Sequence, residues 1–488
     1  MTDPHEPSVD LAYCSTEELL TRLDDGRLTS LRLVDVLLDR IDNVDAPETP
    51  THLNAVAALA SDARAIARER DEERGAGVRR GPLHGIPVLV KDNVEVTNLP
   101  GVAGSTALAG RPARDAPLVT RLRDAGAIIL GSTNLSQWAN LRSPRSTSGY
   151  SAAGGLVANP WALDRSAGGS SSGSGAAVAA GLAPLAVGTE TDGSIVCPAS
   201  VNGVVGLKPT VGVVPATHVV PISASHDSPG PMGRTVDDVA RLYAVLSQSG
   251  APEDRDELSW GVATNWRTGD SRTDQLFDEI VADLRASGAR VLDRELAVPG
   301  DAEGNDELAV LLAELHDDLT SYLSGRPGDG VASLADVVAY EDQYRDIELR
   351  YFGHEFFIRA LESGGRAGES YAEARRRNLE WATETCLLPG LDGVDVVLAP
   401  AYGPAWKSDL VVGSHPGLAS VATMAPAIAG WPIMSVPMGL VHDLPVGLAL
   451  VGRAHSEWIL LRAARRIEAL VTERDPLPRP YWREATRG

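Results

Sequence analysis

Apolar positions in the first half of the chain follow two periods: the three-to-four spacing of helices, and short unbroken runs that suit buried strands. Ser15 with Glu18 three residues later forms a capping box, opening a helix that should stop near Gly26. Leu31, Val34, Leu38 and Ile41 then share one face of a second helix. The run IPVLVKDN predicts a short buried strand over Val88–Val90, with Lys91 at its C-terminal end. LVTRLRDAGAIILGSTN predicts a helix, a stop at Gly126 and a strand over Ala127–Leu130. Such alternation implies an α/β fold, a sheet with helices packed against it.

After about residue 250 the pattern changes. Leu308, Leu311, Leu312, Leu315 and Leu319 repeat at helical spacing inside an acidic segment. YEDQYRDIELRYFGHEFFIRALE predicts further helix over 340–362, and SGGRAGES predicts a loop at 363–370. VDVVLAP (394–400) and IMSVPMGL (433–440) then return the chain to strands. The order describes a helical insertion within one α/β unit rather than a separate module. No internal repeat or coiled-coil heptad run is visible.

Composition narrows the function classes. With 488 residues, 43% of them hydrophobic, the chain can bury a substantial core. The formal net charge of −22 gives no global basic field for nucleic acid or an anionic membrane. Cys14, Cys197 and Cys386 are far apart and odd in number, without a CxxC or Cys/His pair, so neither a structural zinc site nor a disulfide framework is expected. The opening MTDPHEPSVD lacks the basic segment and apolar run of a secretory signal. The longest apolar stretch, about residues 176–189, holds glycine and proline and is too short to span a bilayer. A soluble cytoplasmic protein is the expectation.

The tract GGSSSGSG at 168–175 has the composition of a flexible linker. Its flanks argue otherwise, because it runs directly into the alanine- and valine-rich helix pattern Ala176–Ala180. Small residues there allow close backbone approach and inward-pointing N–H groups. A phosphate cradle is excluded by the glycine spacing and the lack of a following lysine. Gly169–Gly173 fits the G-x-S-x-G elbow with Ser171 at its centre, but that chemistry needs a downstream acid and histidine. His218 and His226 lie in turn-like sequence, and no other histidine is marked by context. Serine paired with lysine is the third option. A lysine activates a serine hydroxyl only when neutral, which burial can achieve. Lys91, following an apolar strand, has a location where desolvation is plausible; the plainer alternative is a surface lysine ending a strand.

The segment GGSSSGSGAAVAAGLAPLAVGTETDGSIVCPASVNGVVGLKPTVG resembles the signature of the amidase signature family, and GIPVLVKDN resembles the stretch that carries that family's lysine. The resemblance extends through GSTNLSQWAN, SHDSPGPMGRTVDD and AGWPIMSVPMGLVHDLPVGLALVG, and so covers most of the chain. ELHDDLTSYL and LAPAYGPAWKSDL are most similar to bacterial peptide amidases within the family. The resemblance implies one amidase domain over the whole chain. Its parts would be N-terminal helices at about 15–43, a signature core at about 80–245, the helical insertion at about 300–390 and a return to a large mixed sheet at about 394–452.

It also implies a Ser–cis-Ser–Lys triad, with Ser194 as nucleophile, Ser170 as the bridging serine after a cis peptide bond, and Lys91 as base. The backbone N–H groups of Thr191, Asp192, Gly193 and Ser194 would form the oxyanion hole, with Ser171 in support. Neither a metal nor an organic cofactor is called for, and the expected partner is a small-molecule or peptide amide. Many family members carry arginine where this chain has Val196, which removes an ion pair with an upstream acid. Cys197 reads as a small buried residue rather than a second nucleophile. Two other functions fit a family scaffold: the glutaminase (A) subunit of a tRNA-dependent amidotransferase, and a catalytically silent interaction protein.

Overall fold

The buried run at Val88–Val90 becomes a strand in the middle of a sheet rather than an edge, because both its faces and both its neighbours are apolar. The computed structural model describes residues 10–251, 257–415 and 421–480. Among these, eleven strands form one mixed sheet. Numbered along the chain within that sheet, they are β1 (Val56–Leu59), β2 (Pro87–Lys91), β3 (Ile128–Thr133), β4 (Leu185–Glu190), β5 (Val205–Lys208), β6 (Ser228–Gly233), β7 (Ser259–Ala263), β8 (Arg290–Arg294), β9 (Val396–Tyr402), β10 (Ile433–Val441) and β11 (Leu444–Val451). Their spatial order is β1-β3-β2-β4-β6-β5-β10-β11-β9-β7-β8.

Strand β2 runs parallel to both its neighbours, with Lys91 opposite Thr133 on β3 and Val90 opposite Val187 on β4. Lys91 and Thr189 therefore sit at the C-terminal ends of adjacent parallel strands, the edge where open α/β sheets place their ligands. Strand β6 is antiparallel to β4 and to β5. Its sequence, SPGPMG, is a poor strand former, yet Gly230 is required: a Cβ there would lie 2.1 Å from the Leu207 carbonyl oxygen.

The expected N-terminal helices form over Thr16–Asp24 and Ser30–Val44. The Ser15 hydroxyl accepts from the Glu18 N–H, and Glu18 accepts from the Ser15 N–H at 2.7 Å, which closes the capping box. The strand expected at Ala127–Leu130 begins at Ile128 and runs on to Thr133, because β1 pairs along its far half.

The helical segment between β8 and β9 contains Asp301–Gly325, Leu334–Gln343, Arg345–Glu348, Glu355–Ser363 and Tyr371–Glu380. The continuous helix expected over 340–362 is a correction: it is interrupted at Tyr344, breaks again after Glu348 and resumes at Glu355. Buried Arg142 reaches into the break, donating to the Glu348 carbonyl at 2.6 Å and the Phe352 carbonyl at 3.4 Å. A guanidinium takes over carbonyls that an unbroken helix would satisfy internally. No helix of the described residues is long and apolar enough to cross a membrane.

Candidate active site

The serine tract is packed, not a linker. Ser170, Ser171, Ser172 and Ser174 are all fully buried, and the helix begins inside the tract, at Ser172–Ala179. The Gly169–Ser170 peptide bond is cis. Small residues are obligatory here, since a Cβ on Gly173 would come within 2.3 Å of the Ala55 carbonyl oxygen and 2.4 Å of that of Asn134.

Lys91 is fully buried, and its Nζ lies 2.7 Å from Ser170 Oγ, 2.9 Å from Thr189 Oγ1 and 3.1 Å from the Thr189 carbonyl oxygen. All three partners are neutral. Burial drives the Lys91 amine down from about 10.5 to about 7, while the more distant Asp227 and Glu190 oppose the change. Asn93 Nδ2 donates to Thr189 Oγ1 at 3.0 Å and fixes that hydroxyl against the lysine.

Ser171 is occupied by the scaffold: its Oγ donates to the Thr189 carbonyl at 3.0 Å and accepts the Thr189 N–H at 3.1 Å. Its backbone N–H donates to the Ser194 carbonyl at 3.1 Å, tying the tract to the turn that follows β4. A hydroxyl used twice by one peptide unit is not free to act as an elbow nucleophile. His226 does not supply that motif's base either; burial lowers it to about 3, and its Nδ1 faces the Ser223 and Ser225 hydroxyls.

Ser194 borders a cavity of about 260 Å³, with Thr191, Asp192, Gly169, Cys197, Tyr402 and Trp406 among the other lining residues. Its hydroxyl makes no hydrogen bond to Ser170 or Lys91, so the structure joins Lys91 to Ser170 directly and brings Ser194 to the same region through the backbone. The N–H groups of Thr191, Asp192, Gly193 and Ser194 have no hydrogen-bond partner among the described residues. The next two, of Ile195 and Val196, are both held by Glu190 Oε2, at 2.6 and 2.8 Å. The carboxylate thus ends the turn and leaves those four consecutive N–H groups unpaired, on a turn of which Thr191, Asp192 and Ser194 border the cavity, an arrangement able to receive an anion. Gly193, at φ +75°, makes the turn possible.

Val196 is fully buried, and Lys208 is a cation that acts on Glu190. Lys208 is itself buried and lowered to about 8 by that burial, and it donates to the Trp431 carbonyl at 2.7 Å. Cys197 is buried, its thiol pushed up to about 12 by desolvation, and so is a poor nucleophile near neutral pH. No cluster of three or more side chains suited to hold a metal ion occurs among the described residues.

The sequence reading missed the residues that complete this neighbourhood. Asn93 follows Lys91 by two positions and could have been flagged from the strand end alone. Thr189 and Asp227 lie in stretches noted only as wholes. Tyr402, Trp406 and Leu311 come from segments more than a hundred residues away, and local pattern carries no sign that they meet at one cavity. A larger cavity of about 900 Å³, lined by Tyr13, Arg234 and Pro476 among others, contains none of the serine–lysine group.

The Amidase family matches residues 32–461, and the chain belongs to that family. It is an amidase, a hydrolase of amide C–N bonds. A putative amidase of Schizosaccharomyces pombe is 33% identical, over 96% of this chain and 87% of its own length. The glutamyl-tRNA(Gln) amidotransferase (A) subunit of Symbiobacterium thermophilum is 32% identical, over 93% and 96%. Among solved structures, the native peptide amidase from Stenotrophomonas maltophilia is 38% identical with a TM-score of 0.89, covering 97% of this chain and 99% of that one.

Proposed function

We propose that the chain removes the C-terminal carboxamide of peptides, releasing ammonia, through Lys91, Ser170 and Ser194. The observation that carries the chemistry is Lys91: a fully buried amine, lowered to about 7, 2.7 Å from a serine hydroxyl and bonded only to neutral groups. Such an amine is neutral in half the molecules near pH 7 and can take a proton.

In the proposed reaction, Ser194 Oγ attacks the carboxamide carbon while its proton passes to Ser170 Oγ, and the Ser170 proton passes to Lys91 Nζ. The carbonyl oxygen becomes an oxyanion facing the N–H groups of Thr191–Ser194. Removing one such donor commonly costs roughly 3–4 kcal/mol of transition-state stabilisation. The proton then returns from Lys91 through Ser170 to the leaving nitrogen, the C–N bond breaks, and ammonia departs. Water attacks the Ser194 ester, gives its proton to the same relay, and the C–Oγ bond breaks to release the acid and restore Ser194.

The peptide assignment is supported by the likeness to peptide amidases at 38% identity and by a cavity with the apolar and aromatic walls Leu141, Ile222, Leu311, Tyr402 and Trp406. An extended acyl chain suits such walls, whereas a cavity of about 260 Å³ leaves little space beyond a leaving –NH₂. Internal peptide bonds are then refused by steric exclusion. The test is a mass-spectrometric time course on a peptide amide that also contains an internal glutamine. Loss of the terminal amide alone is expected. Turnover confined to free glutamine would favour the reading as an amidotransferase glutaminase, which relatives of that kind raise. Peptide amides left inert beside hydrolysed small amides would discard the peptide assignment.

A further inference from the structure

One wall of the cavity is built from backbone in an unusual conformation. Trp138, Ala139 and Asn140 are three consecutive non-glycine residues in the left-handed region, at φ 50°, 51° and 78°. Side chains rarely adopt that region, and a run of three persists only where neighbouring groups over-determine it. Ala139, Asn140 and the following Leu141 all line the cavity beside Ser194. Two residues of the strained run therefore border the cavity in which the substrate would lie.

Both flanks of the run are held by the helical segment between β8 and β9. On one side, Trp138 Nε1 donates to Glu341 Oε1 at 3.0 Å, and the indole packs edge-on to Phe357 with centroids 5.9 Å apart. On the other, Arg142 accepts the Phe356 N–H through its carbonyl at 3.0 Å and sends its guanidinium to the Glu348 carbonyl. Glu341 is fully buried; its Oε2 lies 2.9 Å from His354 Nδ1 and its Oε1 3.6 Å from Arg142. A buried carboxylate with three partners is a stiff anchor, since losing any one partner leaves buried charge uncompensated. Glu341 itself does not line the cavity.

We infer that the Glu341–Trp138 hydrogen bond positions the left-handed run Trp138–Asn140, so that the helical segment sets one wall of the cavity and with it the affinity for extended substrates. Glu341 is a positioning residue, acting through Trp138. The inference rests on the reading of the Ser194 cavity as the site of amide hydrolysis.

The experiment uses the full-length enzyme and four variants: Trp138→Phe, which keeps the ring and removes the N–H; Glu341→Ala; Glu341→Gln, which keeps an acceptor; and the double variant Trp138→Phe/Glu341→Ala. Steady-state kinetics on an N-acyl dipeptide amide are set beside the rate of Ser194 labelling by a small fluorophosphonate. Trp138→Phe and Glu341→Ala should each raise KM about tenfold, the usual scale for one hydrogen bond to a charged group. The double variant should be no worse than the poorer single variant, because both remove the same link. Glu341→Gln should recover most of the affinity, and labelling should stay within about twofold of wild type throughout. KM unchanged in Trp138→Phe, effects that multiply in the double variant, or labelling that falls in step with KM would each overturn the inference. Wild type unlabelled at Ser194 would overturn the reading of the site, and this inference with it; wild type that is labelled and turns over peptide amides separates the two.

Discussion

Lowering the pH should switch the enzyme off through one buried amine. An unburied lysine near 10.5 would be neutral in only about 1 molecule in 3,000 at pH 7, whereas Lys91, brought to about 7 by burial, is neutral in about half. If that neutral amine is the proton acceptor, kcat/KM should rise tenfold per pH unit below 7. It should reach about a tenth of its plateau near pH 6, half near 7 and nine-tenths near 8. The sign can be tested separately with Asp227→Asn. The Asp227 charge is the largest influence opposing the burial of Lys91, so its removal should move the rise to lower pH. An asparagine fits the site: its Oδ1 can take the Ile222 and Ser223 N–H groups that now bond Asp227 Oδ2, and its Nδ2 can meet Thr191 Oγ1. The assay is ammonia release from an N-acyl dipeptide amide across pH 5–9.5, extracting kcat/KM so that the free enzyme is read. Activity still climbing tenfold per unit above pH 8, or an Asp227→Asn profile displaced to higher pH, would refute the reasoning.

Burial of this amine also destabilises the fold. Because the folded value is depressed, the cost is absent above the unfolded value near 10.5 and complete below about 7, reaching at most about 5 kcal/mol. Lys91→Met should therefore melt higher than wild type at pH 7, with the gap closing towards pH 10.5. The substitution strands only Ser170 Oγ, since the Thr189 carbonyl keeps Ser171 and Thr189 Oγ1 keeps Asn93. A lower melting temperature at pH 7, read by circular dichroism, would contradict the assigned burial cost. Gly193→Ala places a Cβ 2.7 Å from Tyr402 Oη at φ +75°, so it should lower kcat by about a hundredfold or more through displaced N–H donors while the protein stays folded. Wild-type ammonia release from that variant would remove the turn from the account.

Much of the framework was legible because the signals were local. The capping box at Ser15, the apolar strand ending in Lys91 and the small-residue tract at 168–175 each carry their meaning within ten residues. What escaped depended on distant partners. SPGPMG forms strand β6 because β4 and β5 accept it on either side, and no propensity shows that. The helix expected across 340–362 breaks because Arg142, some two hundred residues earlier in the chain, supplies donors to the carbonyls at 348 and 352. The choice of Ser194, Ser170 and Lys91 from the sequence came from resemblance to a family signature. The Lys91–Ser170 contact is a pairing across 79 residues that spacing alone could not give.

The most direct test of the central claim is the site and rate of modification by a fluorophosphonate, mapped by peptide mass spectrometry in wild type, Lys91→Ala and Ser194→Ala. The account predicts one adduct, on Ser194, formed more than a hundredfold more slowly in Lys91→Ala and absent in Ser194→Ala. An adduct on Ser171 or Cys197, or Ser194 labelled at the wild-type rate without Lys91, would contradict it.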